Sequence, residues 1–184
     1  MHLLYLGGYY KRFRYLIQCI DAENTNKIVE LAFGDIQIAK WAKSLNIDWV
    51  GFDINESFVL NATKHGYQAF ARDLESFKNL PVSDVTIMAG SLYHFQGSLK
   101  SFMGKIMTHT KVFIISEPVK NISSMQNIIG KIARNSANVN KGKEAFRYTE
   151  ELLIKELKRV CLDQYSVSVV QRYGKDIIIQ ISHL

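Results

Sequence analysis

Cysteine and proline are nearly absent: the 184 residues include two of each, and glycine occurs eleven times. So little proline and glycine excludes a collagenous or proline-rich disordered chain. The two cysteines, Cys19 and Cys161, fall on apolar helical faces. Their number allows one disulfide, but two inward-facing thiols suit a reduced, cytoplasmic protein better. Metal-ligand spacing is also missing. His2, His65, His94, His109 and His183 are scattered and none pairs with a cysteine, so no metal site is expected. No long hydrophobic run is present. The apolar start, Met1 to Gly8, has no basic region before it and no small-residue site after it, and is too short to span a bilayer. The expectation is therefore a protein with no membrane association. Acidic residues are outnumbered, with a formal net charge of +6. That charge suits nucleic acid or an acidic metabolite, and speaks to association rather than to fold.

What the chain does have is an alternation of short apolar runs with helical periodicity, without repeats or linkers. Tyr9, Phe13, Leu16, Ile17 and Ile20 form one stripe of a helix over 9–23, with Lys11, Arg12 and Arg14 off it as a solvated face. Strands are predicted at Lys27–Leu31, Asp48–Phe52, Tyr67–Ala71, Val85–Ala89 and Val112–Ile115. Helices lie between them: one led by Ile36, Ala39, Trp41, Ala42 and Leu45, one capped by Asn55 and ended by Gly66, and one over 97–109. A helix around 122–134 and a polar loop from Asn135 to Lys143 follow. Thr149 then caps a helix with Leu152, Leu153, Leu157, Val160 and Cys161 inward. Tyr165–Gln171 and Ile177–Ile181, joined by Arg-Tyr-Gly-Lys-Asp, read as a hairpin. The fold class is α/β: a Rossmann-like, doubly wound, mostly parallel sheet with helices on both faces and a C-terminal antiparallel β-hairpin. A single domain is expected. Its segments are 1–24, 25–117, 118–148 and 149–184, the last holding the final helix and hairpin.

Three acidic residues end the first three predicted strands: Glu30, Asp53 and Asp73. Carboxylates at strand ends also serve as caps and turn formers. In an open α/β sheet, however, ligands bind beyond the carboxyl ends of the strands at the switch in strand order, where these loops meet. The run Ile28-Val-Glu-Leu-Ala-Phe-Gly-Asp-Ile36, with Asp53 and Asp73 following, resembles the class I S-adenosylmethionine-dependent methyltransferases. The likeness is strongest over residues 25–117, and extends to small members similar to those of methionine biosynthesis. It implies S-adenosylmethionine as cofactor, with 1–24 as an N-terminal helix or lid, 25–117 as a cofactor-binding core and 118–148 as a substrate-side cap. Asp53 would accept from both ribose hydroxyls, Asp73 would hold the adenine amine, and Leu74 would offer a backbone N–H to the ring. Glu30 would orient the first loop or meet the cofactor's ammonium through water, and Ala32, Phe33, Gly34, Ile54 and Gly90 complete the cofactor set. The glycine loop departs from the family: its three glycines correspond to Ala32, Gly34 and Ile36. Ala32 is a mild change if its φ is negative, whereas Ile36 would crowd whatever passes over the helix start. A dinucleotide fingerprint would need glycine at position 37, which is Gln37.

On the substrate side the segment Gly90-Ser-Leu-Tyr-His-Phe95 follows the fourth strand. His94 is the candidate catalytic base, or it packs against or caps the next helix. Tyr93 binds substrate or fills the core, and Glu117 contacts an amine substrate or forms a salt bridge. Tyr10 would close the site from the N-terminal helix, while Arg147 and Tyr148 read as structural. The function expected is methyl transfer to an oxygen or nitrogen of a small molecule. Two alternatives stand beside it: a catalytically weak or inactive scaffold of the same fold, motivated by Ala32 and Ile36, and an RNA-directed methyltransferase, motivated by charge. The run Ala89-Gly-Ser-Leu92 carries no Asn-Pro-Pro-Tyr-like motif, which lowers the case for methylation of nucleobase amines. Oligomeric state is open, a homodimer being one arrangement.

Overall fold

A computed structural model of the chain describes residues 9–77, 79–119 and 147–184, with side chains from Lys11 onward. The helix expected at 122–134, the loop at 135–143 and most of the substrate-side cap lie outside the described residues, as does the Tyr10 side chain.

Seven strands form one sheet in the order β3-β2-β1-β4-β5-β7-β6. They are β1 (Lys27–Leu31), β2 (Asp48–Asp53), β3 (Gln68–Ala71), β4 (Ser83–Ala89), β5 (Thr110–Pro118), β6 (Tyr165–Tyr173) and β7 (Asp176–His183). The first five are parallel, and β7 and β6 run antiparallel as the C-terminal hairpin. The expected sheet is therefore observed, hairpin included. The helices are α1 (Tyr9–Gln18), α2 (Gln37–Ser44), α3 (Glu56–Lys64), α4 (Leu99–Met107) and α5 (Glu150–Cys161).

The apolar runs exist because the central strands are covered on both faces. Val29, Leu31, Phe52, Met88, Phe113 and Ile115 pack with Phe102, Met103 and Ile106 of α4 and Leu153 and Leu157 of α5. Their neighbours Ile28, Trp49, Val85, Ile87 and Ile114 point the other way, onto Phe13 and Leu16 of α1 and Ile38, Ala39 and Ala42 of α2. Each of two caps holds its helix start. The Asn55 side chain accepts the N–H of Ser57 at 2.9 Å, and Thr149 Oγ1 accepts that of Leu152 at 3.2 Å. Such caps satisfy amide donors that a helix start otherwise leaves open.

The structure corrects four local expectations. The first helix stops at Gln18, short of residue 23. Residues 97–109 do not form one helix; a 3-10 segment over Leu92–Ser98 leads into α4. Leu152 is 37% exposed rather than inward, and Arg12, expected on a solvated face, is only 5% exposed. Its burial reflects a tertiary partner that helical periodicity cannot show. Cys19 and Cys161 are both free thiols.

Candidate functional site

The sheet order places the topological switch between β1 and β4, since the chain winds from β1 toward β3 on one side and from β4 toward β5 on the other. Loops leaving the C-terminal ends of these strands meet at that crevice, where α/β sheets hold ligands.

Asp53 closes β2 and is buried, yet its two oxygens are used by two different loops. Oδ2 accepts the N–H of Gly34 at 3.0 Å, and Oδ1 accepts that of Asn55 at 2.8 Å. Burial raises its pKa, opposed by the donors Asn55, Gly34 and Ile54. Each oxygen keeps a lone pair for a further donor. Ile54, next in sequence, is 71% exposed. A large aliphatic side chain left in water beside a buried carboxylate offers an apolar face for a planar ligand.

The loop after β1 contains an unexpected backbone feature. Ala32 has a φ of +51°, in the left-handed region, and Gly34 a φ of +56°. The alanine is thus not a mild replacement: it holds a conformation that disfavours any residue with a Cβ. Ile36, in contrast, does not crowd the helix start. It is buried among the α1–α2 core residues, leading into α2 with φ −98°. The Phe33 side chain is likewise buried, edge-on to Trp49.

Glu30 is 0% exposed. Its Oε2 accepts from Trp49 Nε1 at 2.8 Å, while Oε1 is buried without a partner. Burial pushes its pKa well above the ordinary carboxyl value; the Trp49 bond opposes this, and the charges of Asp35 and Asp53 add to it. Through the Trp49 bond Glu30 ties β1 to β2. Asp73 is exposed, and its Oδ1 accepts the N–H of Glu75 at 3.0 Å. The buried Leu74 has its carbonyl held by Lys105 Nζ at 3.1 Å.

Past β4 the backbone turns at Gly90, with φ +71°. A Cβ there would meet Arg12 Nη1 at 2.7 Å, so the guanidinium lies directly against the turn. Arg12 is held by Asp176 in a buried, two-pronged pair: Nε to Oδ2 at 3.0 Å and Nη2 to Oδ1 at 2.8 Å. Asp176 reaches this edge because β7 is antiparallel, so its first residue pairs with Pro118, the last of β5. Glu117 is fully buried beside it and accepts the N–H of Leu92 at 3.0 Å through Oε2; Oε1 has no hydrogen-bond partner. Burial raises its pKa to about 7 against the Leu92 bond and the charges of Arg147 and Arg12. Tyr93 stacks on His94 with ring centroids 3.9 Å apart, and the Arg147 guanidinium covers the Tyr93 ring at 4.0 Å. Burial and Arg147 lower the His94 pKa, so the imidazole is neutral near pH 7.

Glu30, Asp53, Ile54, Gly34 and Gly90 thus follow or end neighbouring strands, and Tyr93, His94 and Glu117 form a second group on the β4–β5 side. Arg12, Asp176 and Arg147 had been given no role at the site by sequence. Asp176 had only turn chemistry to mark it. Among the described residues no group of three or more histidine, cysteine or acidic side chains is arranged to hold a metal, and no helix is long and apolar enough to cross a membrane.

No family model matches the chain, and no curated protein sequence matches it. Solved structures do. DhpI in its complex with S-adenosylmethionine and HEP superposes with a TM-score of 0.71 at 12% identity, over 96% of this chain and 86% of that one. The methyltransferase domain of a bacterial Hen1 gives a TM-score of 0.72 at 15% identity, covering 94% and 97%. Magnesium protoporphyrin IX methyltransferase from Synechocystis with bound S-adenosylhomocysteine gives 0.67 at 14%, covering 96% and 84%. Such low identity across nearly whole chains means that layer order and topology, rather than particular side chains, are what is shared. The chain has the fold of the class I S-adenosylmethionine-dependent methyltransferases.

Proposed function

We propose that the chain is an S-adenosylmethionine-dependent methyltransferase acting on an oxygen or nitrogen of a small molecule. The observation that carries this reading is the pairing of Asp53 with Gly34 at the switch point, beside the exposed Ile54. The residues present suit an adenosine group. Asp53 has lone pairs left for two hydroxyl donors, Ile54 offers an apolar face for the purine, and the turn at Asp73 and Leu74 edges the same side. When bound, the sulfonium cofactor supplies an already activated methyl group. What the protein must add is alignment and exclusion of water. Gly90 would let the backbone approach the cofactor closely, with Arg12 holding that turn from behind. Tyr93 would bound the acceptor. His94, neutral near pH 7, can take a proton on its ring, and Glu117, with a pKa of about 7, can hold one at Oε1.

The left-handed Ala32 favours a second reading, a scaffold of the same fold that binds cofactor weakly. One titration separates the two. S-adenosylhomocysteine added to the chain in a calorimeter should bind, and Asp53→Ala should abolish the heat. An absence of binding at millimolar ligand overturns the enzyme reading.

A further inference from the structure

On the substrate side, Glu117 holds the N–H of Leu92 and Arg147 covers the next residue, Tyr93, without an ion pair between the two. The Arg147 guanidinium carbon sits over Tyr93, 4.0 Å from the ring centroid, and among the described residues no carboxylate is within ion-pair distance of it. Its charge nonetheless acts on Glu117, His94 and Lys175. A guanidinium held over a ring face can still offer N–H donors to a planar or tetrahedral anion. Glu117 Oε1, in turn, is a buried oxygen that makes no hydrogen bond, which is costly to leave so. A ligand bringing a donor to one and an anion to the other would satisfy both.

We propose that Arg147 and Glu117 form the acceptor subsite, which takes a small molecule carrying an anionic carboxylate or phosphate for Arg147 and a hydroxyl, able to accept from or donate to Oε1, for Glu117. This rests on the methyltransferase reading and narrows its substrate class to anionic acceptors. The surrounding charges agree with it. Arg12 on α1 and Asp176 on β7 neutralise each other. His94 is neutral near pH 7. The pKa of Lys175, in the turn before β7, is lowered by burial first, the charge of Asp176 opposing and those of Arg12 and Arg147 adding, and the residue brings no negative charge. The Tyr148 phenol, pushed up to about 12 by burial, stays neutral. Glu117 is then the group whose ionisation sets the sign of the subsite. It repels an anion when charged and tolerates one when protonated.

The test is calorimetry on the full chain saturated with S-adenosylhomocysteine, using benzoate, phenyl phosphate and the neutral benzamide as probes. Benzoate or phenyl phosphate should bind at least roughly tenfold tighter than benzamide, and Arg147→Ala should remove that margin. The tighter of the two anions identifies carboxylate or phosphate as the group recognised. Benzoate should bind more tightly at about pH 6 than at about pH 8, and Glu117→Gln should abolish that difference. If Arg147→Ala does not fold, Arg147→Gln and the pH dependence of the unaltered chain decide. Equal binding of benzoate and benzamide, no binding of either anion, or a margin that survives loss of Arg147 overturns the proposal. Failure of S-adenosylhomocysteine itself to bind overturns the methyltransferase reading instead.

Discussion

Asp53 Oδ2 accepts the Gly34 N–H at 3.0 Å, so the carboxylate that ends β2 holds the loop that leaves β1. Its other oxygen holds Asn55, the cap of α3. A single side chain therefore sets the shape of the crevice from both sides. Asp53→Ala strands two backbone donors, and should cost about 1–3 kcal/mol of stability besides removing S-adenosylhomocysteine binding. Urea denaturation and calorimetry measure the two effects separately. Asp53→Asn keeps an acceptor for one loop only, and should lie between the alanine variant and the unaltered chain in stability.

Ala32 holds φ +51° where only glycine is at ease. Ala32→Gly relieves about 1–2 kcal/mol of backbone strain and gives back about 0.5–1 kcal/mol as unfolded-chain entropy. A net gain near 0.5–1 kcal/mol is expected, seen as a higher urea midpoint at unchanged slope. Lower stability would show that the alanine methyl contributes packing worth more than the strain.

The Arg12–Asp176 pair joins α1 to the start of β7 with both side chains 5% exposed. Removing one partner leaves the other charge buried, so Arg12→Met or Asp176→Leu should each cost about 3–5 kcal/mol. Removing both together, as Arg12→Met with Asp176→Leu, should cost far less than the sum of the singles. A double-mutant cycle by denaturation measures this coupling, and additive losses would show that the pair contributes no mutual term.

Glu117 titrates near pH 7 in the folded chain and near its ordinary value of 4.5 when unfolded. Between those values the folded state keeps a proton that the unfolded state has lost, so stability must fall as pH rises through that window and level off above about 7. The loss is on the order of 3 kcal/mol. Glu117→Gln cannot ionise, and should flatten this part of the stability-versus-pH curve. A profile unchanged in the variant would place the titration elsewhere. Glu30, pushed well above its ordinary value by burial, acts in the same direction, so Glu30→Gln removes a further part of the slope.

The strands were legible in the sequence because their register with solvent is simple. Covered on both faces, they read as unbroken apolar runs, and β1 runs from Lys27 to Leu31 as expected. The caps Asn55 and Thr149 were legible for the same local reason: a capping side chain reaches only two or three residues along the chain. The strand-end acids Glu30, Asp53 and Asp73 were visible as a spacing, and the topology brings their strands side by side.

Whatever depends on contact between distant segments was not legible. Arg12 and Asp176 are 164 residues apart, and nothing local distinguishes Arg12 from the exposed Lys11 and Arg14 beside it. The sign of φ at Ala32 was equally hidden, because a backbone dihedral in a loop is imposed by the strands it joins. The sequence by itself thus determined the sheet, its helices and the line of acidic strand ends, all of which follow from periodicity and burial. Only the tertiary structure decided which charges are paired, which carboxyls burial pushes upward, and that Arg147 covers Tyr93. Pairing and desolvation depend on distances in space, which spacing along the chain does not contain.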